Sequence, residues 1–195
     1  MNDVALALVL GYALGSIPFS FIVTKLFGLG DIRQVGSGNV GATNVLRTGN
    51  KLAAALAFTG DVGKGVVAVL VAKGWGDNAA MAAALGAFTG HIFPVWLNFK
   101  GGKGIATCAG ILAALVPVVA LCSAVTWIAT AAITRISSLS ALVTAALAPF
   151  YMLLFGTTTF AIGTTVLAAL VFVTHRENIA RLAAGTEPRI GQSKK

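Results

Sequence analysis

Residues 104–134 carry no charged side chain, and neither do residues 136–174. A fold in water has no means of solvating stretches this long, whereas a bilayer requires them. A helix crossing the hydrocarbon core needs roughly 20 mostly apolar residues, and its backbone polar groups must be satisfied within the segment. The stretches 4–24, 53–72, 79–97, 105–133, 138–155 and 157–174 are candidates. Charged residues make up 10% of the chain, against about 25% in soluble domains. The fold class that follows is all-α, a polytopic membrane helix bundle forming one domain over residues 1–195. The 23 glycines suit close packing of such helices. The first stretch leads into Lys25 and a polar loop rather than a small-residue cleavage site, so it is expected to be a retained helix and not a signal peptide.

Stretch 105–133 is too long for one ordinary span and contains Pro117, which breaks or kinks a helix. Charge parity chooses between one crossing and two. With two, Lys25, Arg33, Arg47, Lys51, Lys100, Lys103, Arg135, Arg176, Arg181, Arg189, Lys194 and Lys195 share one side, and only Lys73 falls on the other, with Lys64 inside a span. Positive charge gathers on the cytoplasmic side. The expected topology therefore has seven transmembrane helices, the N-terminus outside and the C-terminus cytoplasmic. The net charge of +8 flanks apolar spans and forms no soluble basic face, which argues against nucleic acid. Cys108 and Cys122 lie in apolar stretches and suggest neither a disulfide framework nor a metal site. The carboxylates are too few and scattered for a metal, and no cofactor is implied.

The polar residues gather in clusters. The first runs from Val35 to Arg47, with Gly36, Gly38 and Gly41 able to turn backbone N–H groups toward an anion. Thr43 or Asn44 is placed to cap a short helix, with Arg47 one turn along it. A flexible loop with a snorkelling arginine is the plain alternative. Gly36-x-Gly38-x-x-Gly41 fits a dinucleotide pattern, but a membrane span precedes it where a buried strand is needed. The second cluster is Gly90-His91 with Pro94, followed by Lys100-Gly101-Gly102-Lys103-Gly104 before an apolar helix. It combines backbone donors, two cations and a helix N-terminus. The third, Asp61 and Lys64, lies three residues apart in a span and reads either as a structural pair or as a substrate contact of Lys64. The fourth is His175 to Leu182, ending near Glu187, with His175 and Asn178 on one helix face. It suits either a polyol ligand or an amphipathic interfacial helix. Arg135, Ser137 and Ser138 form a smaller patch. All but the third fall in predicted cytoplasmic loops, and they point to anion binding without naming a reaction.

Together these residues resemble the bacterial acyl-phosphate:glycerol-3-phosphate acyltransferase family along nearly the whole chain. The resemblance rests on Gly15-Ser16-Ile17-Pro18, on Ser37 to Asn44 with Arg47, on Asp61 with Lys64-Gly65, on Gly90-His91 with Phe99 to Thr107, and on His175 to Ile179 with Arg181-Leu182. It implies a bacterial inner-membrane enzyme whose active site faces the cytoplasm. Such an enzyme moves a fatty acyl group from acyl phosphate to the 1-hydroxyl of sn-glycerol 3-phosphate, giving lysophosphatidate and phosphate. Carried over by position, Ser37, Arg47, Lys103, Ser138, His175 and Asn178 hold glycerol 3-phosphate. Thr43, Asn44, Lys100, Gly101, Gly102, Lys103, Gly104 and Thr107 hold the acyl phosphate. Ser37, Lys103, His175 and Asn178 form the catalytic set. Membrane lipid and the soluble enzyme that makes acyl phosphate are the implied partners. The hydroxyl proton is taken either by His175 or by a phosphate of a bound substrate, and the resemblance favours the phosphate. No Ser-His-Asp set is present, and Ala180 stands where a His-x-x-x-x-Asp pattern needs an acid. The alternative from another class is a transporter of an anionic phosphorylated metabolite. It predicts polar groups at mid-membrane and on both sides, and the one-sided distribution disfavours it. An acyl-coenzyme A or carrier-protein donor is disfavoured because only short loops are available to bind it.

Overall fold

The first apolar stretch is not one helix. In the computed structural model, which describes residues 2–36 and 38–191, it divides at Ser16-Ile17-Pro18 into α1 (Asp3–Gly15) and α2 (Phe19–Leu26). Proline supplies no N–H to continue the ladder. The remaining helices are α3 (Ala42–Leu46), α4 (Lys51–Lys73), α5 (Asp77–Ile92), α6 (Ile105–Leu115), α7 (Pro117–Thr134), α8 (Ser137–Phe155), α9 (Thr158–Thr174) and α10 (Arg176–Ala183). Short 3₁₀ turns occupy Ile32–Gln34 and Val95–Leu97, and no strand occurs among the described residues. Ser37 and the terminal Lys194 and Lys195, used above, lie outside the described residues.

Among the described residues, five segments are long and apolar enough to cross a membrane: Asp3–Leu26, Lys51–Lys73, Asp77–Leu97, Pro117–Thr134 and Ser137–Phe155. Thr158–Thr174 and Arg176–Ala183, which meet at a bend of 62°, make a sixth when taken together as one span. The expected division of stretch 105–133 occurs at Val116, with Pro117 as the first residue of α7, the one helical position where its missing N–H costs nothing. The protein is therefore an all-helical, multi-span membrane protein.

The chain forms two units, Met1–Leu115 and Val116–Lys195. In the first, α1 packs along α5, and α4 packs against α2, α5 and α6. The α1–α5 contact is backbone on backbone. A Cβ on Gly15 would run into the carbonyl of Ala87, and one on Gly90 would run into that of Tyr12. Small residues let transmembrane helices approach this closely where lipid gives no hydrophobic drive. Overpacking costs about 1–3 kcal/mol, so Gly15→Ala is expected to lower the thermal unfolding midpoint in detergent. An unchanged midpoint would show that this face does not hold α1 to α5. In the second unit α8 packs against α7 and α9, and Thr126 of α7 shares a 2.8 Å hydrogen bond with the Tyr151 hydroxyl of α8.

Helix α6 has 11 residues, about 16 Å at 1.5 Å per residue. Thr107, in its first turn, contacts His91 of α5, which contacts Asp61, nearly midway along α4. The helix thus begins at the level of Asp61 and not at the start of α4. At its other end Lys73 Nζ donates to the carbonyls of Ala114 (2.8 Å) and Leu115 (3.3 Å), a cation on the carbonyls that a helix C-terminus leaves unpaired.

Candidate functional site

Two glycine-containing loops of the first unit meet over the C-terminal end of α5. The first, between α2 and α4, is organised by Asn44. Its Nδ2 donates to the carbonyls of Ile32 (3.0 Å) and Val35 (2.8 Å), and its Oδ1 accepts from Arg47 Nη1 at 3.3 Å. The expectation that Thr43 or Asn44 caps α3 is corrected. Gly41 is the capping residue, without a side-chain bond, and Asn44 lies inside the helix. Asn44 is buried because its amide satisfies carbonyls of the loop folded over it, while Thr43 and Arg47 are exposed. Gly36 adopts a left-handed conformation, φ 56°, with the Arg47 side chain lying where a Cβ would be. Arg33, the other arginine here, is paired with Asp31 at 2.6 Å and lies over the Phe21 ring. The hydrogen bonds from the Arg33 side chain and backbone hold the Asp31 carboxyl at about 2. Of the two arginines, then, Arg47 is the one on the glycine loop that has no carboxylate partner among the described residues.

The second loop doubles back over the end of α5. Asn98 and Phe99 take left-handed conformations (φ 51° and 61°), and four backbone bonds lace the loop down. Phe99 donates to Pro94, Lys100 to Leu97, Gly101 to Ile92 and Gly102 to His91. The last two carbonyls are ones that a helix C-terminus leaves without partners. Gly102 is required by contact, because a Cβ there would strike His91 Nε2 and the Val40 carbonyl. The glycines therefore have a packing cause beyond freeing N–H groups for an anion. Val40 belongs to the first loop, so both loops bear on one another at Gly102. Lys100 is exposed, Gly101 and Lys103 are half-buried, and Gly102 and Gly104 are buried. Thr107 is fully buried beneath the loop, its hydroxyl 3.2 Å from His91 Nδ1.

Under the loops lies a buried polar network. Lys64 Nζ is 2.8 Å from Asp61 Oδ1 and donates to the Ile17 carbonyl at 2.9 Å, a carbonyl exposed by the α1–α2 break. Ser20 Oγ donates to Asp61 Oδ2 at 3.4 Å, and His91 Nδ1 is 3.5 Å from Asp61 Oδ1. Both members of the Asp61–Lys64 pair are 2% exposed. Of the two readings of this pair, the geometry gives the structural one.

In the second unit the organising residue is Glu187, which received no role from the sequence analysis. Its Oε1 accepts from Ser138 Oγ and Asn178 Nδ2, and its Oε2 from Arg181 Nε, each at 2.6 Å. Burial raises the Glu187 carboxyl, but these hydrogen bonds and the Arg181 charge together hold it below its ordinary value. Three basic residues, Arg176, Arg181 and Arg189, lie within reach of it in sequence, and that imbalance was the available signal. His175 follows α9, its Nδ1 2.8 Å from the Val171 carbonyl. A carbonyl only accepts, so Nδ1 donates. Arg135 is left-handed at φ 59°, and its backbone and guanidinium both bond Ile190. Of the sequence-predicted residues, Ser138 and Asn178 are thus joined through one carboxylate, and the two loops of the first unit are joined at Gly102.

Comparison with known proteins identifies the family. The family model described as Glycerol-3-phosphate acyltransferase matches residues 5–185. The chain belongs to the glycerol-3-phosphate acyltransferase family. A relative of that description from Cereibacter sphaeroides is 57% identical over 185 residues, covering 94% of this chain and 88% of its own. Another, from Rhodopseudomonas palustris, is 56% identical over 189 residues, covering 96% of each. The crystal structure of PlsY, an integral membrane glycerol 3-phosphate acyltransferase, superposes in its glycerol 3-phosphate form with a TM-score of 0.91. It is 37% identical, with 96% of each chain covered. Its lysophosphatidic acid form superposes with a TM-score of 0.89 at 36% identity, over 96% of this chain and 95% of that one.

Proposed function

We propose that this glycerol-3-phosphate acyltransferase uses acyl phosphate as donor. It transfers the acyl group to the 1-hydroxyl of sn-glycerol 3-phosphate and releases lysophosphatidate and phosphate, as the first step of phospholipid synthesis. The observation that carries the reading is the junction at Gly102, which brings the loop of Arg47 against the loop of Lys100 and Lys103 over the end of α5. Short loops bearing cations and backbone donors suit a small phosphorylated head and offer no face for an adenine nucleotide or a carrier protein. In this reading Thr43, Asn44, Lys100, Lys103 and the Gly101–Gly104 backbone hold the acyl phosphate head, with Thr107 supporting the loop from below. Ser37, Arg47, Lys103, Ser138, His175 and Asn178 serve the acceptor.

Acyl phosphate is a mixed anhydride, so its carbonyl is already activated. The acceptor hydroxyl attacks that carbon, the anhydride C–O bond breaks, and phosphate leaves with the bond electrons. The hydroxyl proton passes to a phosphate oxygen of a bound substrate, with His175 Nε2 as the protein alternative. Orientation supplies roughly 7–11 kcal/mol of the barrier reduction, and the cations stabilise charge developing on the leaving group. Helix α6 is taken as a short crossing that completes seven spans. The N-terminus is then outside, with both loops and the C-terminus on the cytoplasmic face of the bacterial inner membrane.

The test is phosphate release by the purified protein from a long-chain acyl phosphate, with and without glycerol 3-phosphate. Release that requires the acceptor and matches lysophosphatidate formed is the expected result. Turnover with acyl-coenzyme A alone would reassign the donor. Failure of folded protein with either donor would favour transport of a phosphorylated anion.

A further inference from the structure

His91 is placed where both loops depend on it, yet it is buried away from their surface. Its Nδ1 side faces Thr107 Oγ1 at 3.2 Å and Asp61 Oδ1 at 3.5 Å. Its Nε2 side fills the space directly beneath Gly102, beside the Val40 carbonyl. Its own carbonyl accepts from the Gly102 N–H at 3.1 Å. One edge of the ring is thus fixed by a buried charged network, and the other is the floor on which the two loops meet.

We infer that His91 is a positioning residue that sets the spacing between the two loops, acting through Gly102 and Val40 without touching substrate. This rests on the proposed reaction, in which the loops hold reacting groups in register. Asp61 and Lys64 extend the same support to the break at Ile17, so the network ties α1–α2, α4, α5 and α6 to one point under the loops. A side chain needed only to satisfy buried polar groups would act through Nδ1 alone. A positioning side chain acts through its Nε2 edge as well. Asparagine separates the two, because its amide takes the place of Nδ1 and leaves the space under Gly102 empty.

The experiment compares full-length wild type with His91→Asn in detergent or lipid. It measures thermal midpoint, steady-state kinetics for both substrates, and hydrogen–deuterium exchange over residues 38–46 and 99–104. The expected result is a folded variant whose kcat is at least tenfold lower, with KM for glycerol 3-phosphate within threefold and faster exchange in both loops. Thr107→Val, which keeps the ring but frees its orientation, is expected to shift the same readouts less. It serves as the decisive variant if His91→Asn does not fold. A folded variant with kcat within twofold of wild type overturns the inference. If wild type itself does not turn over acyl phosphate, the proposed donor fails instead, and exchange decides the role of His91. Unchanged exchange in both loops then overturns it.

Discussion

Asp61→Ala is expected to cost about 3–5 kcal/mol of stability, because it strands the Lys64 ammonium in a site that is 2% exposed. Few single replacements in this chain should do more damage, since typical stabilities are only about 5–15 kcal/mol. The cost belongs to the unpaired charge and not to the pair as such. Replacing both partners with apolar residues of similar volume is often neutral. Asp61→Leu with Lys64→Met should therefore recover most of the lost stability. The shortfall is the lost Lys64 bond to the Ile17 carbonyl, which keeps only the Phe19 N–H at 3.1 Å, at about 1.5–3 kcal/mol for a charge-assisted bond. Turnover should stay depressed in the refolded double variant, because His91 no longer faces a carboxylate. Thermal midpoints of the single and double variants in one detergent decide the matter. A double variant no more stable than Asp61→Ala would show that charge burial is not what the pair resolves.

Much of this arrangement was readable in the sequence, for reasons that can be named. The charge-free stretches fixed the all-helical membrane class, since lipid admits few alternatives. Pro117 marked the break between α6 and α7. The spacing of Asp61 and Lys64 announced their pairing, because residues three apart share a helix face. Pro18 likewise marked the break at Ser16-Ile17-Pro18, although the apolar run continues on both sides of it. Asn44 was assigned to a helix cap from its residue type, but its amide was needed by the Ile32 and Val35 carbonyls, which only the folded loop brings to it. The glycines at 101 and 102 suggested an anion cradle, but their closest neighbours are His91, Pro94 and Val40, and such contacts are tertiary facts. His91 and Glu187 stood in the second and fourth clusters but received no role, and for one reason. Each bears on other parts of the protein, and a search for residues suited to bind phosphate selects the groups they hold.

Glu187→Gln should show that dependence in the second unit. A glutamine oxygen still accepts from Ser138 and Asn178, but its amide presents a donor to Arg181 Nε, where the carboxylate now accepts at 2.6 Å. Charge-assisted bonds contribute about 1.5–3 kcal/mol each, so the segment from Arg176 to Gly191 should loosen and turnover fall about ten- to a hundredfold. The wild-type pH dependence carries a defined sign. The folded carboxyl lies below its ordinary value of 4.5, so its contribution is complete above that pH and is lost as pH falls through the lower folded value. Exchange protection of residues 176–191 should then hold in wild type from neutral pH to below 4.5 and decline beneath it. In Glu187→Gln it should be weaker at neutral pH and should lack the acid decline. If wild-type protection began to fail above pH 5, or if the variant matched wild type at pH 7, Glu187 would not be the group holding Ser138, Asn178 and Arg181 together.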